Sequence, residues 1–313
     1  MKTSAKVAVI GECMLELSQA TGSSSVSGNQ LSLSYGGDTL NTAVYLSRLG
    51  IAADYVTALG DDNMSDWMTE QWRAEGVGCD LVVRAPNSVP GMYMIQTDIQ
   101  GERSFLYWRD SAPARHLFDD SDQADRLFAA MSASPWIYLS GITLALYSDV
   151  TRQRFIQMLT TYRKQGGKIA FDGNYRPRLW AAPASAQAAF QALYELSDLA
   201  LPTLEDELML YGDSDHLAVV ERLQGWGVSE IGLKMGGEGC LVAAATETRT
   251  VVSHSVELVD TTAAGDSFNA GYLAARINGK DPFAAAAAGH DLASVVIQHR
   301  GAIIPPSAMP TVN

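Results

Sequence analysis

Residues 260–275 read DTTAAGDSFNAGYLAA, and the rest of the chain is organised around this stretch. The valine-rich run Val251 to Val259 precedes it as a predicted strand, and an alanine-rich segment with helical spacing follows, so it spans a tight turn and a helix start. The small residues Ala263, Ala264 and Gly265 let the backbone approach a ligand closely. Amides that open a helix point outward unpaired, with the positive end of the dipole behind them, and so hold a phosphate or a developing oxyanion. Asp266 falls in the first helical turn beside that hole. A carboxylate there is a favourable dipole partner. Beside an anion hole it is also a base that takes a hydroxyl proton while a phosphoryl group transfers.

Working outward, the alternation of short apolar runs and amphipathic segments predicts a doubly wound α/β sheet. Lys6 to Ile10 (KVAVI) is the first buried strand, Asp54 to Leu59 another, and Trp136 to Ile142 and Lys168 to Asp172 two more. Helices are predicted over Ser65 to Ala74, Ser148 to Gln165, 184–197 and Phe283 to Gln298. In YGGDTLNTAVYLSRLG, residues 35–50, Gly36 and Gly37 form a turn, Asp38 caps a helix and Asn41 lies in its first turn. The rhythm changes at residues 19–34, rich in Ser, Gly and Gln, and between Leu81 and Trp108. There MYMIQT and RSFLYWR, joined by DIQGE, form an antiparallel hairpin. The chain therefore reads as one domain, 1–313, with β insertions at about 14–34 and 81–110.

Period-two geometry gives the hairpin a chemical face: Phe105, Tyr107 and Arg109 share one side, and Tyr93 stands on the neighbouring strand. Tyrosine hydroxyls beside a guanidinium suit an oxygen-rich anion. Arg176, in the NYRPRLW that follows the strand ending at Asp172, falls where open α/β sheets bind ligands.

Composition narrows the class. With 313 residues, 47% of them hydrophobic, the chain buries a full core, and its net charge of −13 excludes a nucleic-acid surface or an anionic membrane as partner. Three scattered cysteines, no long apolar run and a start without a signal-peptide h-region point to the reducing cytoplasm. Neither GxxxxGK[ST] nor an early GxGxxG occurs, which sets aside P-loop kinases and dinucleotide dehydrogenases.

DTTAAGDSF resembles the C-terminal signature of the ribokinase-like (PfkB) sugar kinases, DTxGAGDxF, with Ala263 in place of glycine. GGDTLNTAVYLSRLG resembles their N-terminal signature, GGxxxNxAxxxxxLG. The extra methyl asks for an unstrained φ at 263. The resemblance implies a three-layer sandwich with a doubly wound, mostly parallel sheet and a small antiparallel lid that covers the substrate and serves a homodimer. It implies ATP with Mg2+ as cofactors and leaves a monovalent cation open. Asp266 is then the base, with Ala263, Ala264 and Gly265 forming the hole. Gly36, Gly37 and Asn41 approach the sugar, Lys234, Gly236, Gly239 and Gly265 the ATP phosphates, and His290 the adenine. The family's NxxE metal motif is altered to Thr203 and Asp206, so the metal ligands stay unassigned.

Further stretches, IGECMLELS, YVTALGDD, GERSFLYWR, YLSGI, FDGNYRPRLW and RGAIIP, extend the likeness over nearly the whole chain. Within the family they resemble the branch acting on keto-deoxy sugar acids, where alanine at 263 is no anomaly. An acid-sugar substrate fits Arg109, Tyr107 and Tyr93 on the lid, with Arg176 serving carboxylate or phosphate. A fructokinase- or ribokinase-type specificity, and a non-catalytic sugar-binding regulator of the same fold, are the alternatives.

Overall fold

The computed structural model describes residues 7–19, 31–97 and 103–310; Lys6, the loop 20–30 and the turn DIQGE lie outside them. Strands β1 (Val7–Ile10), β2 (Met14–Gln19) and β3 (Leu31–Gly36) precede helix α1 (Asp38–Arg48), then β4 (Ala53–Gly60) and α2 (Asn63–Ala74). Next come β5 (Val82–Ala85), β6 (Met92–Thr97), β7 (Arg103–Trp108), α3 (Ser121–Met131), β8 (Trp136–Ser140), α4 (Gly141–Leu146) and α5 (Asp149–Lys164). The chain continues through β9 (Lys168–Asp172), α6 (Pro183–Tyr194), β10 (Leu199–Ala200), α7 (Leu204–Tyr211), α8 (His216–Gly225) and β11 (Glu230–Lys234). It closes with β12 (Cys240–Ala244), β13 (Glu247–Val251), α9 (Ala264–Ile277) and α10 (Pro282–Val296).

Nine strands form one sheet in the order β13-β12-β11-β10-β9-β8-β1-β4-β5. Pairing is parallel from β11 to β5 and antiparallel from β11 to β13. The reason is visible in β1, whose four residues are all buried: Val7 and Val9 face one apolar layer, Ala8 and Ile10 the other. A strand buried on both faces reads as a continuous apolar run, and alternate residues feed opposite layers. One layer comes from α3, α5, α6, α7 and α8, with Phe155, Phe190 and Leu223 fully buried. The other comes from α1, α2, α9 and α10, with Val44, Trp72 and Leu273 at the centre. The three-layer arrangement follows directly.

A second, four-stranded sheet has the order β3-β2-β6-β7. The span 81–110 is too wide for this insertion at its start, because β5 pairs in parallel with β4 (Thr57 opposite Val82) and so extends the large sheet. Two other expectations shift. The strand predicted over Val251 to Val259 ends at Val251: β13 lies at the sheet edge, and Ser253 and His254 bond instead to the Gly237 carbonyl and to Asp291. The strand predicted to reach Ile142 stops at Ser140, whose hydroxyl accepts the Thr143 amide and caps α4.

Candidate active site

Side chains at the C-terminal ends of the parallel strands and at the starts of α1 and α9 converge on one open cleft, as open α/β sheets require. The small sheet stands over it. A cavity of about 440 Å3 is lined from the lid by Tyr93, Phe105 and Tyr107 and from the base by Asp38, Asn41, Asp172, Arg176, Asp206 and Asp266. A second cavity, about 540 Å3, lies between Gly236, Gly239, Phe268, His290 and Ile297. Thr203, Lys234, Thr261, Ala264 and Gly265 line both, so the two spaces meet at the opening turn of α9.

That turn is held from beneath. Asp260 accepts the amide and hydroxyl of Thr262 through one oxygen and the Gly301 amide through the other. Ala263 then takes φ 60° and ψ 18°, the left-handed region, which corrects the expectation of an unstrained residue there. A methyl in that region costs roughly 1 kcal/mol against glycine. The expected hole is also narrower: the Ala264 amide donates to the Thr261 carbonyl at 3.1 Å, whereas the amides of Gly265 and Asp266 have no acceptor among the described residues. Those two donors, at a dipole's positive end, are the ones left open to an anion.

Asp266 faces this junction. Burial pushes its carboxyl up to about 8, with the carboxylates of Asp38 and Asp172 adding to the effect and Asn41 and Lys234 opposing it. Asn41, expected at the sugar, lines the cleft but spends its amide on Asp266, Nδ2 to Oδ2 at 2.8 Å. Beneath them Lys234, 8% exposed, donates to Asp172 at 3.1 Å and to Asn269 at 3.0 Å. Asn269 in turn bonds Tyr138 and the other Asp172 oxygen, both at 2.9 Å. An ammonium has three donors, so Lys234 keeps one for an anion at the junction.

The lid is built for close approach. A Cβ on Gly37 would fall 2.3 Å from the Glu12 carbonyl oxygen, so that position needs glycine, and one on Gly36 would fall 2.2 Å from the Tyr93 hydroxyl and force that side chain to move. The Tyr93 hydroxyl donates to Glu16, and its ring stacks on Tyr107 at 5.9 Å. Tyr107 is reached from the base: Arg178 donates to its hydroxyl at 2.5 Å and lies over its ring at 4.3 Å.

Arg109 corrects the reading of the lid. It follows β7 instead of belonging to it, is 9% exposed and pairs with buried Glu12. Burial raises the Glu12 carboxyl, and the Arg109 guanidinium opposes that rise. Arg109 does reach a side cavity of about 100 Å3 off the cleft, together with Arg176 and Arg178, and its Nε has no partner among the described residues. Arg176 is 44% exposed and only loosely held by Asp206, at 3.4 Å. Asp206 itself is pushed up by burial.

In the second cavity, Gly236 and Gly239 sit at φ 55° and 104°, where glycine is favoured, and His290 is buried against Phe268 at 5.0 Å. Burial depresses the imidazole, so Nε2 carries the proton donated to the Val251 carbonyl. Sequence reasoning missed Asp172, Asn174, Asn269 and the cleft-facing role of Asp38. The signals were present: Asp172 ends a strand, and Asn269 stands three residues after Asp266 on the same helix face.

A family model described as pfkB family carbohydrate kinase matches residues 4–309. The 2-dehydro-3-deoxygluconokinase of Dickeya dadantii is 45% identical over 316 residues, covering 98% of this chain and 99% of the relative. That of Escherichia coli K12 is 44% identical over 315 residues, with coverage of 98% and 99%. The crystal structure of 2-dehydro-3-deoxygluconokinase from Thermotoga maritima superposes with a TM-score of 0.84 at 21% identity, over 96% of this chain and 95% of that one. The fold is thus kept at low identity.

Proposed function

Because this chain belongs to the pfkB family of carbohydrate kinases, we propose that it transfers the γ-phosphoryl group of ATP to the C6 hydroxyl of 2-keto-3-deoxy-D-gluconate, giving 2-keto-3-deoxy-6-phosphogluconate. The observation that carries the reading is the meeting of two cavities at Gly265 and Lys234, with Asp266 on the sugar side. The adenosine occupies the space between Gly239, Phe268 and His290, and its phosphates run towards Lys234. Asp266 accepts the C6 proton as that oxygen attacks phosphorus. The Gly265 and Asp266 amides, with the Lys234 ammonium, stabilise the charge on the transferring group.

The acid end of the sugar lies in the side cavity with Arg176 and Arg178, and Tyr107 is held beside it by Arg178. Charge-assisted bonds of this kind contribute about 1.5 to 3 kcal/mol. Arg109 adds positive potential behind them while its charge is met by Glu12.

The donor set fits a magnesium ion carried in on ATP. Among the described residues no group of three or more His, Cys, Asp and Glu side chains forms a cage, and Mg2+ ordinarily enters kinase sites with phosphates, waters and one or two carboxylates. Asp206 and Thr203, both at the edge of the cleft, would hold its water shell. When bound, the ion would neutralise phosphate charge.

The lid's outer face supports a homodimer. Register places Leu33 opposite Leu17, Leu17 opposite Met94 and Met94 opposite Leu106, with Met92 opposite Trp108. This apolar face is the reverse of the one carrying Tyr93 and Tyr107, and Leu31, Leu33, Leu106 and Trp108 are exposed.

ADP release measured over 2-keto-3-deoxygluconate, its C4 epimer, fructose and ribose tests the reading. A keto-deoxy acid should exceed the neutral sugars by at least about 100-fold in kcat/KM, since an unanswered arginine pocket is penalised. Preference for fructose or ribose, or sugar binding without ADP release, would refute it.

A further inference from the structure

The base cleft and the arginine side cavity share six lining residues: Met14, Gly37, Asp38, Tyr107, Ile142 and Arg176. A substrate whose acid lies with the arginines and whose terminal alcohol lies at Asp266 must pass them. Met14, Gly37 and Ile142 offer no strong polar side chain, Arg176 only donates, and the Tyr107 hydroxyl already accepts from Arg178. Asp38 is the one carboxylate in the set.

Within its own helix that carboxylate meets only the backbone amide of Thr39, the next residue. The N-cap of α1 is Gly37, with no side-chain capping bond, and Asp38 is already the first helical residue. Its other partners come from across the cleft: Asn174 Nδ2 donates to Asp38 Oδ2 at 2.7 Å, and the Ser140 hydroxyl also bonds it. Asn174 is 8% exposed and takes φ 40°, a left-handed conformation that asparagine tolerates better than most residues. An ionised carboxylate has about four lone-pair directions, so acceptor capacity remains.

We propose that Asp38, fixed by Asn174, accepts the C4 hydroxyl of the bound sugar acid and thereby selects one C4 epimer. The C3 methylene of a 3-deoxy acid passes Met14 and Ile142, and the next carbon presents its hydroxyl to Asp38. Inverting C4 turns that hydroxyl away and leaves a half-buried carboxylate short of a donor, the situation in which polar sites discriminate most strongly. The assignment rests on the kinase reading above and deepens it.

Initial rates with 2-keto-3-deoxygluconate and its C4 epimer, for wild type, Asp38→Asn and Asn174→Ser, separate the two claims. Wild type should favour one epimer at least about tenfold in kcat/KM. Asp38→Asn, nearly isosteric, should raise KM for the favoured epimer about 10- to 100-fold, change kcat less than threefold, and bring the epimer ratio to within threefold. Asn174→Ser, which keeps the carboxylate but removes one of its holds, should move the ratio in the same direction by a smaller amount. A wild type that uses both epimers equally, or variants that keep the wild-type ratio and KM, overturn the assignment while leaving the kinase reading intact. A wild type releasing no ADP with either acid overturns both.

Discussion

Asn41 Nδ2 donates to Asp266 Oδ2 at 2.8 Å across a separation of 225 residues, joining the first turn of α1 to the first turn of α9. Two signatures that look independent along the chain are one device in space. The Asn41 side chain aims the proposed base, while Thr42 beside it donates to the Asp266 carbonyl at 3.2 Å. Asn41→Ala should lower kcat about tenfold with KM nearly unchanged, because a misplaced base is felt in the transition state. Since the Asn41 amide opposes the rise in the Asp266 pKa, the rising limb of kcat/KM against pH should move alkaline in the variant. A profile that stays in place would deny Asn41 this role.

Asp266→Asn should cut kcat by roughly 10²-fold or more while sugar binding persists, read as a retained thermal shift with substrate. Stability carries a separate sign. The carboxyl is raised from 3.8 to about 8, so its contribution is present in acid and is lost as pH rises through the folded value. Asparagine carries no such loss. The melting temperature of the variant should therefore pull ahead of wild type progressively between about pH 4 and about pH 8, then hold level. An advantage that shrinks over that window contradicts the burial of an ionising group there.

Glu12 and Arg109 are both buried and pair with each other. Glu12→Ala strands a guanidinium and should cost about 3 to 5 kcal/mol in urea unfolding, whereas the apolar double replacement Glu12→Leu with Arg109→Met should recover most of it. Equal losses in the single and double variants would show that packing, and not the stranded charge, is responsible.

The sheet, its buried strands and the opening turn of α9 were legible because each rests on local pattern: VAVI is apolar throughout, and AAGD needs small residues before a carboxylate. What escaped was partnership. Period two correctly put Phe105 and Tyr107 on the cleft face, but it carried Arg109 along with them past the end of the strand, where the chain turns inward to Glu12. Likewise Asp38 looks like a cap in sequence, and its actual partner, Asn174, lies 136 residues away. Long-range pairing of polar side chains leaves no period to read.

Ala263 at φ 60° offers a test of local strain. Ala263→Gly removes roughly 1 kcal/mol of backbone strain and adds part of that back through the freer unfolded chain, so the net gain should be under about 1 kcal/mol. Ala263→Val, β-branched in the same conformation, should destabilise clearly more than Ala263→Gly stabilises. A valine variant as stable as wild type would mean the turn relaxes out of the left-handed region.

The lid's outer face bears on assembly. Four strands about 4.8 Å apart and about 20 Å long present on the order of 400 Å2 in projection, less than the roughly 800 Å2 per partner of a stable interface. The groove beside it, lined by Met64, Val89, Pro90 and Trp108, supplies adjoining apolar surface. Trp108 stands where both regions meet, and Leu106 shares its face, away from Tyr107 and the cleft. Leu106→Asp should place two like charges in a self-complementary contact and shift the chain from dimer to monomer in light scattering at micromolar concentration. Tyr107, on the opposite face of the same strand, should keep its bond to Arg178, so KM for the sugar acid should change less than about threefold. Wild type that runs as a monomer, or a Leu106→Asp variant that remains dimeric, would remove this face from the assembly.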